Sequence, residues 1–175
     1  EIDKSKETEL KKLRDKALIL VGFSGGFRRS ELVAISMEDI EFVNEGVKIF
    51  VKKSKSDQSG EGMIKAIPFF NNQKYCPVLH LKKYMQTNKN EFIFSISDKN
   101  VALIIKKYAS RVGLDEKKYA GHSLRSGFAT TTAECGASER DIMAMTGHKS
   151  VSMVRRYIKE ADLFKNNALN KIYNN

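Results

Sequence analysis

Residues 40–69 interrupt a sequence otherwise patterned for helices. Val47, Ile49 and Val51 alternate with Lys48, Phe50 and Lys52, which is the period of a strand with one covered face. Residues 63–69 form a second β-favouring run, and the polar stretch SKSDQSGEG between the two predicts an antiparallel hairpin. A shorter strand around 41–44 joins it across the turn at Asn44-Glu45-Gly46. The expected fold class is therefore α+β, mainly α-helical with a small three-stranded antiparallel sheet.

The rest of the chain reads as helices. Residues 5–22 carry an apolar stripe of Leu10, Leu13, Ala17, Leu20 and Val21, broken by Gly22-Phe23-Ser24-Gly25-Gly26. A second helix is expected to begin near Arg28, with Arg28 and Glu31 three apart on one face; from the residues alone this is a surface ion pair beside a turn. Pro77 opens a helix running to Thr87, with Leu79, Leu81, Tyr84 and Met85 apolar. Asp98 is the expected N-cap of a helix over 99–112, with Val101, Ile104, Ile105 and Tyr108 inward. His80, among core-type residues, reads as structural.

Composition narrows the partner. With 31 Lys+Arg against 21 Asp+Glu the chain carries +10 and a pI near 9.5, a surplus that favours a polyanion, nucleic acid before membrane. No run reaches membrane-spanning length, so a soluble, intracellular protein is expected. Hydrophobic residues at 41% of 175 suit one domain with a real core. Cys76 and Cys135 lack zinc-ligand spacing and are expected to be reduced and buried or half-buried. His80, His122 and His148 are too scattered to argue for a metal, and no cofactor is implied.

Chemistry gathers in residues 121–159, GHSLRSGFATTTAECGASERDIMAMTGHKSVSMVRRYIK. His122 and Arg125 are three apart in a segment of helical period, so they are expected on one face, converging on one anion. Arg125 offers a planar fork of donors for two phosphate oxygens, and His122 can donate a hydrogen bond or move a proton. Gly147-His148 reads as a turn before a helix over 151–159 that carries Arg155, Arg156 and Tyr157. A phenol among cations ionises more readily, which is what a tyrosine nucleophile needs. The same residues also fit a helix-turn-helix, with ERDIMAMT and VSMVRRYI around Gly147.

Taken together, GGFRRSEL, the lysine in KKSKSDQSGEG, HSLR, TGH and RRY resemble, in order and spacing, the catalytic domain of tyrosine recombinases, the phage-integrase family. The resemblance runs from about Leu10 to Lys159. The family's first arginine lies in Gly-Leu-Arg-x-Ser-Glu-Leu, matched from Gly26 to Leu32 with Phe27 for Leu. It therefore implies Arg28 as catalytic, with Glu31 supporting it. It further implies Lys55 in the hairpin connection, His122 and Arg125, His148 at the family's His-or-Trp position, and Tyr157 as nucleophile.

What the resemblance implies for activity is site-specific DNA recombination through a covalent 3′-phosphotyrosine, on double-stranded DNA, by a homotetramer on paired sites. Accessory DNA-bending proteins can assist. In this picture Arg28, Arg125 and His148 hold the non-bridging oxygens, His122 orients or accepts the tyrosine proton, and Lys55 protonates the leaving 5′ oxygen; Lys52, Lys53 and Lys65 are the alternatives for that acid. Residues 1–175 are expected to be a single catalytic domain, the C-terminal part of a longer recombinase that is bacterial or phage-encoded and cytoplasmic. The tail, 161–175, is expected to dock on a neighbouring protomer through Leu163, Phe164, Leu169 and Ile172. The rival readings are a DNA relaxase of the type IB topoisomerase kind and a helix-turn-helix module without chemistry.

Overall fold

The computed structural model describes residues 1–52, 61–148 and 150–162, the last four by backbone alone. The hairpin forms as the alternation requires. Strands β1 (Ile40–Val43), β2 (Gly46–Val51) and β3 (Met63–Pro68) are antiparallel in that order, with Phe42 opposite Val47 and Ile49 opposite Lys65. The covered face presents Val47, Ile49, Val51 and Ile67. On β3 the period of two wins over residue type: Ile64 is 62% exposed, and Lys65, in phase with Ile67, is wholly buried.

Helix α1 (Glu9–Ser24) opens on Thr8, whose hydroxyl accepts from the Lys11 N–H, and α3 (Pro77–Thr87) opens with proline in its first turn and packs along α1. The short helix α2 (Arg29–Val33) comes after the glycine break. Helix α4 (Asp98–Arg111) is capped by Ser97, whose hydroxyl accepts from Asn100 N–H at 3.2 Å, so Asp98 lies in the first turn instead of at the cap. One core gathers Leu18, Val21, Phe27, Leu32, Val47, Ile49, Leu81, Phe94, Ile104 and Leu124. A smaller one, of Ala129, Ala133, Ile142 and Val154, holds together α5 (Ser123–Glu134), α6 (Glu139–Thr146) and α7 (Val151–Asp162). Phe23 of α1 meets Phe128 of α5 edge to face at 6.5 Å, which fastens the second group to the first.

Two expectations about burial change. Leu10 lies outside the core, half exposed, while Asp15 is buried: Arg14 binds one of its oxygens at 2.9 and 2.7 Å and the Tyr108 hydroxyl donates to the other at 2.9 Å. A buried carboxylate needs such partners, and burial together with this bond pushes the Tyr108 phenol up to about 12. Cys76 is buried as expected, but Cys135 is exposed, because it stands just after the last turn of α5, where the helix leaves the small core.

Candidate active site

The glycine break ends in a tight turn that places Arg28. Gly26 has φ 56°, and a Cβ there would stand 2.9 Å from the Phe128 ring and 3.0 Å from the Thr146 methyl, so only glycine lets this turn approach α5 and α6. Arg28 sits at the N-cap of α2, ahead of the helix, and does not share a helical face with Glu31. The Arg28 N–H donates to Glu31 Oε2 at 2.9 Å, and its Nη1 to Oε1 at 2.6 Å. Glu31 is 2% exposed, so the pair belongs to the interior and not to the surface. Burial alone would raise the Glu31 pKa, but Lys65 and the Arg28 bonds outweigh it and leave it below the ordinary value.

Arg125 reaches the same turn from α5. Its side chain is 4% exposed; Nη1 donates to the Gly26 carbonyl at 3.0 Å, and Nη2, also buried, has no hydrogen-bond partner among the described residues. Burial, then the repulsion of Arg28, lowers Arg125 to about 10, with Glu31 and Tyr157 acting in the opposite sense. His122 is the N-cap of α5 with an exposed side chain, whereas Arg125, in the first turn of that helix, is buried. The residue before His122 is fixed by contact: a Cβ on Gly121 would lie 1.9 Å from Cδ and Nε of Arg29.

His148 is joined to α6 through Gly147, whose φ of 65° ends the helix in the left-handed region. The ring is 8% exposed. Thr146 Oγ1 donates to the Ile142 carbonyl at 2.6 Å and lies 2.8 Å from His148 Nδ1. With the hydroxyl proton committed to Ile142, Nδ1 carries the proton it shares with Thr146, and Nε2 of the neutral ring holds a lone pair. Burial and then the charges of Arg125, Arg28 and Lys65 hold His148 down to about 4, against a smaller opposite effect of Glu31. Tyr157, half-buried on α7, has its ring centroid 6.1 Å from that of His148 and packs its ring on the Ala129–Val154 cluster. Arg155, two residues before it, pairs with Glu139 of α6 at 2.9 Å.

The structure thus brings Arg28, Glu31, Arg125, His148 and Tyr157 into one electrostatic neighbourhood. Lys55 lies outside the described residues. Thr146 was missed from the sequence, and Lys65 was named there only as an alternative acid. Thr146 gave no signal apart from the TGH tripeptide; for Lys65 the phase with Ile67 on β3 marks the covered face, but the carbonyls that hold it come only from the fold.

His148 gives a pH dependence whose sign is fixed. Its folded pKa of about 4 lies below the ordinary 6.5, so between those values the unfolded chain binds more protons, and stability is complete above pH 6.5 and lost as pH falls toward 4. The expected loss is about 2 kcal/mol. Urea unfolding at pH 7 and pH 4.5 checks it: a His148→Gln variant should lose less than the wild type over this interval, and an equal loss would show that His148 is not held neutral.

The family model of the phage integrase family matches residues 2–163. The chain belongs to the phage integrase family. Among curated relatives it is 48% identical over 182 residues to an integrase/recombinase XerD homolog of Selenomonas ruminantium, covering 96% of this chain and 53% of that protein. It is 30% identical over 158 residues to tyrosine recombinase XerA of Pyrococcus horikoshii, covering 84% and 50%. The chain spans about half the length of the curated relatives it matches. In fold it is similar to the XerH site-specific recombinase bound to palindromic difH substrate in a post-cleavage complex, with TM-score 0.74 at 19% identity over 98% of this chain and 48% of that one. It is similar also to XerA recombinase, with TM-score 0.68 at 22% identity over 93% and 56%. The mainly helical fold with its three-stranded antiparallel sheet is that of tyrosine-recombinase catalytic domains. Among the described residues no helix is long and apolar enough to cross a membrane.

Proposed function

We propose that this chain is the catalytic part of a site-specific DNA recombinase, and that the scissile phosphate binds among Arg28, Arg125 and His148. The observation that carries this reading is Arg125 Nη2, a buried guanidinium donor with no protein acceptor among the described residues, in a neighbourhood where Arg125, Arg28 and Lys65 face Glu31 as the principal opposing charge. A buried cation donor without a partner is costly, and a phosphate oxygen supplies the missing acceptor. Arg28 and Arg125 then stabilise the charge that develops on the non-bridging oxygens.

Tyr157 Oη attacks the phosphorus; the Oη–P bond forms as the bond from phosphorus to the 5′ oxygen breaks, leaving a 3′-phosphotyrosine. The tyrosine proton has two acceptors in this scheme: His122, as the family resemblance implies, and Nε2 of neutral His148. Donation from His148 Nε2 to a phosphate oxygen requires a second proton on the ring, and an anion beside it favours that proton. The departing oxygen takes its proton from the hairpin lysine, for which Lys55 is our assignment. Two alternatives are already engaged: Lys52 is bound by Glu38 and Asp39, which raise its pKa, and Lys65 is wholly buried. Because the phosphotyrosine keeps the ester bond, a second DNA 5′-hydroxyl can reverse the attack, and exchange of strands between two double-stranded sites takes four protomers. Docking of the 161–175 tail on a neighbour and help from DNA-bending proteins belong to the same reading, as does action on DNA in the cytoplasm.

Trapping on a DNA duplex nicked near the cleavage site tests it, since loss of the short released fragment prevents reversal. A denaturation-resistant protein–DNA adduct is expected. No adduct on any nicked site would leave a helix-turn-helix binder, and relaxation of supercoiled plasmid without recombinant product would leave a topoisomerase.

A further inference from the structure

Lys65 is a wholly buried lysine that the phosphate chemistry does not use. Its ammonium donates to the Gly25 carbonyl at 2.8 Å and to the Met145 carbonyl, stands 4.0 Å from Glu31 Oε2, and lies 4.7 Å from the centre of the Phe27 ring. Gly25 is the C-cap of α1, and Met145 is in the last turn of α6. One cation therefore closes the C-terminal ends of two helices that belong to the two different cores, where unpaired carbonyls and the negative end of each helix dipole favour a positive charge.

Each of these helix ends leads directly into the active site. Three residues after Gly25 comes Arg28, and three after Met145 comes His148. The next carbonyl along the first turn, that of Gly26, is taken by Arg125. We propose that Lys65 is a positioning residue, the buried strut that sets the separation between the Arg28–Glu31 side of the active site and the His148 side. Its partners leave no other job for the ammonium: it cannot reach solvent or a leaving group, and two of its three protons are spent on main-chain oxygens. A neutral side chain of the same length leaves both helix ends without this donor and removes one of the cations facing Glu31. The inference rests on the recombinase reading for its functional consequence.

The test compares wild type, Lys65→Met and Lys65→Gln by single-turnover adduct formation on nicked DNA, with DNA affinity and thermal unfolding measured on the same preparations. For Lys65→Met we expect cleavage slowed by about 100-fold, the scale for a displacement of roughly 1 Å between reacting groups. DNA affinity should stay within about threefold, because the DNA-facing cations are untouched. Lys65→Gln, which keeps amide donors, should recover part of the rate. A folded Lys65→Met that cleaves at the wild-type rate overturns the proposal, as does a parallel loss of affinity and rate, which would mean general damage. If Lys65→Met does not fold, Lys65→Gln decides alone: a wild-type rate there overturns the proposal and a selective loss of rate supports it. A wild type that forms no adduct is a separate outcome, because it removes the recombinase reading itself and this role with it.

Discussion

Tyr157→Phe is expected to bind DNA with unchanged affinity and to form no covalent adduct. The substitution removes one oxygen and leaves the ring, which packs on the Ala129, Ala133, Ile142 and Val154 cluster, so stability should move by less than about 0.5 kcal/mol. Neither Tyr108 nor Tyr84 is a substitute for it. Tyr108 donates its hydroxyl to Asp15 at 2.9 Å and has its phenol raised to about 12, the opposite of what a nucleophile requires. Tyr84 is buried, stacked on Phe94 at 5.9 Å, and burial raises its pKa as well. Tyr157 alone among these three has a histidine ring beside it. Electrophoresis of the trapped complex under denaturing conditions, with peptide mapping of the adduct, checks the result. An adduct of the Phe variant, or one mapped to Tyr108 or Tyr84, would show that the nucleophile is elsewhere.

The reasons these residues could be read from sequence differ from one element to the next. The sheet was legible because Val47, Ile49 and Val51 alternate, and alternation has only one structural meaning at that length. The helix α3 was legible because Pro77 marks its first turn. Glycines did less. Residues 22–26 announced a break, but only the structure shows Gly26 pressed between Phe128 and Thr146 with its carbonyl held by Arg125, a partner 99 positions away in the chain.

The functional positions came mainly from motifs that resemble those of a known family, and a motif carries no information about depth. Arg28 and Glu31 therefore looked like a surface pair until their burial was seen, and His122 and Arg125 looked equivalent until one proved exposed and the other buried. Lys65 shows the limit most sharply. A lysine in a strand reads as solvated, and only the ends of α1 and α6, brought together by the tertiary fold, provide the acceptors that make its burial possible.

Arg125→Lys is expected to slow adduct formation by about 10²- to 10³-fold, the cost of losing one fixed donor to a developing oxyanion. The charge is kept, so the change isolates geometry. A guanidinium can hold the Gly26 carbonyl with Nη1 and still present Nη2 to a phosphate oxygen, because the two nitrogens are rigidly spaced. An ammonium is a single centre on a shorter stem. Satisfying Gly26 draws it away from the phosphate, and turning to the phosphate leaves a buried carbonyl unpaired at about 1–3 kcal/mol. DNA affinity, which depends on the net positive field, should fall far less than the rate. The contrast with Arg125→Ala then separates the two tasks: alanine removes both donors and the charge, so it should reduce thermal stability and affinity as well as cleavage. If Arg125→Lys cleaves within about threefold of the wild type, where a fixed donor is worth far more, Nη2 does not serve the scissile phosphate. The buried nitrogen, which has no partner among the described residues, would then have to be explained by a structural partner, and the phosphate would have to be centred on Arg28 instead.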